Sequence, residues 1–166
     1  MARVIKIVVW ILVLYIIQTA FGGLISVWDS IPELVFGFAV ILCLNERDFK
    51  TRLYVTLATS LIIASEAWRC FGVVVLGMGA ACAAADVLQR YFRFVPLASK
   101  ALLITVLAVY CIDIAELFIQ NSDISIAALY GTSLYTAIYT GLTVCIMYPL
   151  VIKTLYTEKK KKLLIV

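Results

Sequence analysis

The sequence predicts an all-α polytopic membrane protein: a six-helix transmembrane bundle with both termini cytoplasmic. Three observations predict it. First, 64% of the 166 residues are hydrophobic and only 14% are charged, where a soluble chain runs about 45–50% and about 25%. The mean hydropathy is +1.08. A soluble domain of this length cannot bury so much apolar surface, so the solvent is lipid. Second, the apolar residues fall in runs separated by short charged turns, and a crossing takes about 20 apolar residues, so the length admits about six. Third, the basic residues favour one set of alternate connections.

The expected spans cover 7–25, 31–44, 49–66, 71–88, 97–119 and 124–152, with a basic cytoplasmic tail over 153–166, all in a single transmembrane domain. The first run follows Arg3 and Lys6. A basic start before an apolar run also fits a signal peptide. This run is long enough to span, which favours an uncleaved first helix. The second opens on Ser30-Ile31-Pro32-Glu33, an S-x-x-E capping box with Pro in the first turn, where its missing N–H costs nothing. Its 14 positions reach only about 21 Å at ~1.5 Å per residue, thin for a span. Asp48 is placed to cap the third helix, which ends near Glu66. The fourth is rich in Gly and Ala. Gln89 to Lys100, with Arg90, Arg93 and Pro96, separates it from the fifth. The sixth is longer than a bilayer needs and should tilt or break near Pro149.

Counting connections alternately from an inside N-terminus, the inside set holds Arg3, Lys6, Arg47, Lys50, Arg52, Arg90, Arg93, Lys100, Lys153, Lys159, Lys160, Lys161 and Lys162. That is 13 of the 14 basic residues, leaving only Arg69 outside. Such asymmetry follows the positive-inside rule. Trp28 and Trp68 then fall at the outer interface and Tyr148 and Tyr156 near the inner one.

The sequence also excludes functions. With no His, His-dependent triads and His metal sites are ruled out. The five cysteines, Cys43, Cys70, Cys82, Cys111 and Cys145, form no C-x-x-C pair and read as small buried hydrophobes. Catalytic, cofactor-binding and metal residues are therefore expected to be none. Net charge is +4; in lipid this points to an anionic inner leaflet rather than to nucleic acid.

Few residues remain that can carry chemistry. Glu33, Glu66, Arg69, Asp113 and Glu116 all fall near the outer face. Asp113 and Glu116 are three apart, on one helix face. Ionisable groups within a span are expensive and turn toward protein or water. Two readings stay open: a proton or cation relay, and a structural polar cluster organised around Arg69. Asp86 precedes Arg90 by four, the spacing of an interfacial ion pair. Gly77, Ala81 and Ala85 lie at i, i+4, i+8, a row that lets helices pack closely in lipid; Ala80 and Ala84 make a neighbouring row. Tyr130, Tyr135 and Tyr139 lie on the sixth helix. The Lys159–Lys162 run reads as an anchor to anionic lipid.

In layout the chain resembles the rod shape-determining protein MreD family. The matching segments are Ile17-Gln18-Thr19, Ile31-Pro32-Glu33-Leu34, Leu76-Gly77 leading into the small-residue helix, Gln89-Arg90-Tyr91-Phe92-Arg93, and Tyr148-Pro149-Leu150 before a basic tail. Their order and spacing cover essentially the whole chain. One departure is that the family's third span is usually glycine-rich and ends in Asp, whereas Ala58 to Ser65 has no Gly and Glu66 stands in the Asp position. The resemblance implies a multi-pass, non-enzymatic subunit of the bacterial cytoplasmic (inner) membrane. It would sit among membrane lipids and bind MreC, and through it RodA, RodA's transpeptidase partner and the MreB filament, supporting peptidoglycan synthesis along the side wall. For the docking face, Gln18 and Thr19 on helix 1 stand as candidates, with the Gly77-Ala81-Ala85 stripe kept for internal packing. The layout is also similar to the substrate-binding S component of energy-coupling-factor vitamin transporters, which would need a buried pocket open to the outside.

Overall fold

The computed structural model describes residues 2–26, 30–46, 48–66, 70–120 and 126–163, with side chains assigned except at 2, 66, 120, 126–130 and 157–163. Among these residues the chain is all-helical: α1 (Ala2–Ile25), α2 (Leu34–Asn45), α3 (Phe49–Glu66), α4 (Phe71–Tyr91), α5 (Leu97–Gln120) and α6 (Ile126–Leu163). Four segments are long and apolar enough to cross a membrane: Arg3–Ile25, Phe71–Tyr91, Leu97–Ile119 and Gly131–Tyr156. The expected second and third spans exist as helices but are weaker candidates. The 12 residues of α2 rise only ~18 Å, and α3 begins with Lys50 and Arg52 inside its first turn.

The architecture is organised around α2. Every residue from Leu34 to Leu44 is buried, because α1, α3, α4, α5 and α6 all pack against this one helix. Phe36, Phe38 and Ile41 fill its surroundings. Gly37 lets α6 approach, since a Cβ there would overlap Val144. Around this pillar α3, α4, α5 and α6 follow one another as packed neighbours. The helix α1 packs more loosely at the edge, resting on α2 and α6. Its inward side is Ile7, Ile11 and Leu14, a helical spacing, and the opposite side is exposed.

Three expectations are corrected. The helix α2 begins at Leu34 rather than Ile31, and Glu33, not Ser30, is its N-cap residue, with no side-chain cap bond. The capping box is not formed. A residue before proline is steered away from helical backbone, so Ile31 stays outside the helix. The Leu34 N–H turns back to the Pro32 carbonyl at 3.0 Å, and the Glu33 and Val35 N–H groups find partners on α6 and α1. The helix α6 runs unbroken past 152 to Leu163 with Pro149 inside it, so the residues from 153 to 163 continue the helix. Proline costs one helical hydrogen bond, and the flanking turns, tied to neighbouring helices, carry the element through. Asp86 pairs with Arg52 of α3 instead of Arg90, because α3 and α4 are packed side by side and bring the two together.

A fourth correction concerns the cysteines. Cys43 of α2 and Cys82 of α4 are joined as a disulfide, with Cα atoms 5.7 Å apart, within the usual range for such a bridge. The Thr56 hydroxyl of α3 lies 3.8 Å from the Cys43 sulfur and 3.2 Å from that of Cys82. The small residues of α4 allow the close approach that this pairing needs. Cys70, Cys111 and Cys145 are free. The cap expected at Asp48 is present: its carboxylate accepts from the Thr51 N–H at 3.1 Å and the Thr51 hydroxyl at 2.6 Å.

Candidate functional site

A helix as short as α2, enclosed in protein, must still satisfy the backbone groups at its two ends. In a membrane the non-helical stretch before it is tolerated only where protein surrounds it. Both ends of α2 are tied to side chains from other helices, and these two ends are the polar centres of the molecule.

At the first end, the Glu33 N–H donates to the Thr140 hydroxyl of α6 at 3.0 Å. The Val35 N–H donates to the Gln18 side-chain oxygen of α1 at 3.4 Å. The Gly37 N–H then closes the first helical bond on the Glu33 carbonyl at 3.0 Å. Beside this, the Tyr139 hydroxyl donates to the Ile25 carbonyl at 2.6 Å, closing the last turn of α1. The Glu33 side chain is buried at the positive end of the α2 dipole, where a carboxylate is favoured. Glu116, near the matching end of α5, is also buried, while Asp113 is half-buried. Glu33 thus stands just before α2, while Asp113 and Glu116 lie toward the end of α5. Arg69, the expected centre of the cluster, lies outside the described residues, and of Glu66 only its place in α3 is described.

At the other end, the Asn45 side-chain amide donates to the Ile41 carbonyl at 2.8 Å and accepts from the Tyr148 hydroxyl at 3.3 Å. The Gln89 amide of α4 donates to the Leu44 carbonyl. Glu46 pairs with Arg3 of α1, whose guanidinium sits 4.6 Å over the Tyr156 ring of α6, a cation–π contact. Further along α1, the Trp10 ring stacks on Phe38 with centroids 6.0 Å apart and its N–H donates to the Thr154 hydroxyl at 3.0 Å. The start of α1, the end of α2 and Tyr156 of α6 therefore meet at one end of the bundle.

Of the residues singled out in the sequence, Gln18 turns inward to α2, whereas Thr19 is exposed and its hydroxyl donates to the Tyr15 carbonyl at 2.9 Å. Ala81 and Ala85 are buried. Gly77 lies against α5, where an added Cβ would overlap Ile112. Ala80 and Ala84 face outward. Tyr135 is exposed. The side chain of Tyr130 and the Lys159, Lys160, Lys161 and Lys162 side chains lie outside the described ones, although α6 carries the lysine backbone as helix. Among the described residues, no group of three His, Cys, Asp or Glu side chains is arranged to hold a metal ion.

Sequence reasoning missed Thr140, Arg3, Glu46 and the Cys43–Cys82 pair. Thr140 sits in a run of Thr and Tyr with no feature to separate it from its neighbours. Arg3 and Glu46 carried a weak signal, as charges at the ends of apolar runs assigned to the same side. No protein-family model, curated protein or solved structure matches the chain.

Proposed function

We propose that this chain is a non-catalytic, multi-pass subunit of the bacterial cytoplasmic membrane. It binds a single-span partner of the cell-elongation machinery, as MreD binds MreC. Through that partner it connects to RodA, its transpeptidase and MreB. The observation that carries this reading is the contrast between centre and edge. The centre of the bundle is occupied by the enclosed helix α2, which leaves the middle of the fold to packing. The edge carries α1, with Val4, Val8, Leu12 and Ile16 exposed along one side.

A protein that works by holding another helix needs such an outer face, because lipid gives no hydrophobic drive and the contact rests on close packing with a few polar groups. With Gln18 engaged inside, Thr19 is the polar side chain that α1 offers outward. In this reading all six helices cross, both termini are cytoplasmic, and Arg69 joins the carboxylates at the outer end. The acidic residues are structural. A vitamin ligand, as an energy-coupling-factor S component would take, is the competing outcome.

Co-purification from native membranes tests the reading. A single-span protein should be retained by the wild type and lost from a variant with Leu12→Trp and Ile16→Trp that folds normally. Retention by that variant contradicts the proposed face. Reproducible, saturable thermal stabilisation by one water-soluble vitamin contradicts the scaffold reading itself. For topology, Ser122→Cys in a chain lacking the native cysteines should be labelled by an impermeant maleimide in intact cells. Labelling only after permeabilisation would sink the six-crossing arrangement.

A further inference from the structure

The turn between α4 and α5 leaves a run of aromatic and basic side chains exposed. The helix α4 ends at Tyr91, its Phe92 N–H closing on the Leu88 carbonyl at 3.0 Å. The Val95 N–H returns to the Phe92 carbonyl at 3.2 Å, and Pro96 precedes α5. This tight turn holds Arg90-Tyr91-Phe92-Arg93-Phe94-Val95 outside the bundle. Tyr91 is 78% exposed and Phe94 fully so. Phe92, Val95, Arg90 and Arg93 are exposed as well. Among the described residues neither arginine takes part in an ion pair: Asp86, the carboxylate nearest in sequence, is engaged by Arg52.

Three neighbouring aromatic rings standing free in water would be unfavourable, and a contiguous exposed apolar patch marks a contact with another phase or molecule. The rings and the two arginines among them fit one environment. Aromatic rings settle at the headgroup level of a bilayer. Guanidinium groups match phosphate oxygens in a planar, bidentate geometry. The turn lies at the end of the bundle where Gln89 closes α2 and Arg52 meets Asp86, so the rings sit where the apolar faces of α4 and α5 run out. We propose that the α4–α5 turn is a binding site for the headgroups of anionic phospholipids, with Tyr91, Phe92 and Phe94 inserted at the interface and Arg90 and Arg93 on the phosphates. Charge complementarity selects this occupant. A neutral partner protein would need the rings but not the arginines.

The test is independent of the proposed function. Phe94→Trp places a reporter in the turn, read against the unchanged background of Trp10, Trp28 and Trp68. The variant is reconstituted in phosphatidylcholine vesicles containing a minor share of either brominated phosphatidylglycerol or brominated phosphatidylcholine. The anionic lipid should quench the added emission at least about twofold more than the zwitterionic one. Arg90→Gln with Arg93→Gln in the same background should remove the excess without changing helical content. Equal quenching by the two lipids overturns the proposal. So does the absence of quenching by either, which means that water or another protein covers the turn.

Discussion

Two helices of this chain, α1 and α2, read almost identically as sequence and behave oppositely in the fold. Both are nearly unbroken apolar runs. In α2 every residue from Leu34 to Leu44 is buried. In α1, twice as long, Ile7, Ile11, Leu14 and Gly22 are the buried positions among the described ones, while Leu24 is 82% exposed. In water, apolarity decides which helix goes inside. In lipid it decides nothing, since the solvent is as apolar as the side chains. What separates the two is close approach and polar closure. The helix α2 has Gly37 for α6 to press against, and both ends are tied by Gln18, Thr140 and Gln89. The helix α1 is held by one narrow side and by contacts at Arg3 and Trp10.

The same type of truncation should affect the two helices very differently. Phe38→Ala removes a fully buried ring that also stacks on Trp10. It should destabilise by about 3–5 kcal/mol, read as a lowered midpoint of unfolding in mixed micelles. Leu12→Ala, on the exposed side of α1, should change stability by less than about 0.5 kcal/mol. Equal losses would mean that α1 is as enclosed as α2.

Overfilling comes next. Ala81 is buried on the inward side of α4, and Ala81→Leu should cost about 1–3 kcal/mol and lower the yield of folded protein. Ala84→Leu, on the outward side, should leave both unchanged. The polar closure of α2 is tested by Thr140→Val, which keeps the shape and removes the acceptor of the Glu33 N–H. A buried donor left without its partner costs about 1–3 kcal/mol, and hydrogen exchange should speed up at Glu33.

The smallest effect is a pH dependence at the edge. Bonds from the Thr51 hydroxyl and Thr51 N–H hold the Asp48 carboxyl below its usual range. The folded value is depressed, so its support for α3 is fully present above the unfolded carboxylate range. That support is lost as pH falls through the lowered folded value. Exchange protection at the Thr51 amide should fade on acidification, and Asp48→Asn should weaken that dependence.

The sequence located the helices by local signals. The bounds 49–66 of α3 follow from Asp48 as cap and from the charges Glu66 and Arg69, which end the apolar run in the sequence. The inward side of α1 lies at the helical spacing 7, 11, 14. The enclosure of α2 was not legible, although its short length was a hint: a helix too short to cross the bilayer comfortably is one that protein must surround. Nor was its starting point. The S-x-x-E pattern at Ser30 describes a local cap, whereas the donors are closed by Gln18 and Thr140, distant in the chain. Gln18 read as a group free for a partner because its polarity was visible and its partner, a backbone N–H of α2, was not. The pairing of Cys43 with Cys82 and of Arg52 with Asp86 likewise depends on which helices are neighbours, and periodicity does not encode neighbourhood.

In the proposed function α1, and not the small-residue helix α4, presents the face that holds a partner helix. Photo-crosslinking residues placed singly at Leu12, Ile16, Ala80 and Ala84 test it in living cells. All four positions are exposed, so insertion leaves the core untouched. Leu12 and Ile16 should yield a discrete adduct with one single-span protein, and Ala80 and Ala84 should yield none. Adducts from Ala80 and Ala84 with none from α1 would contradict it.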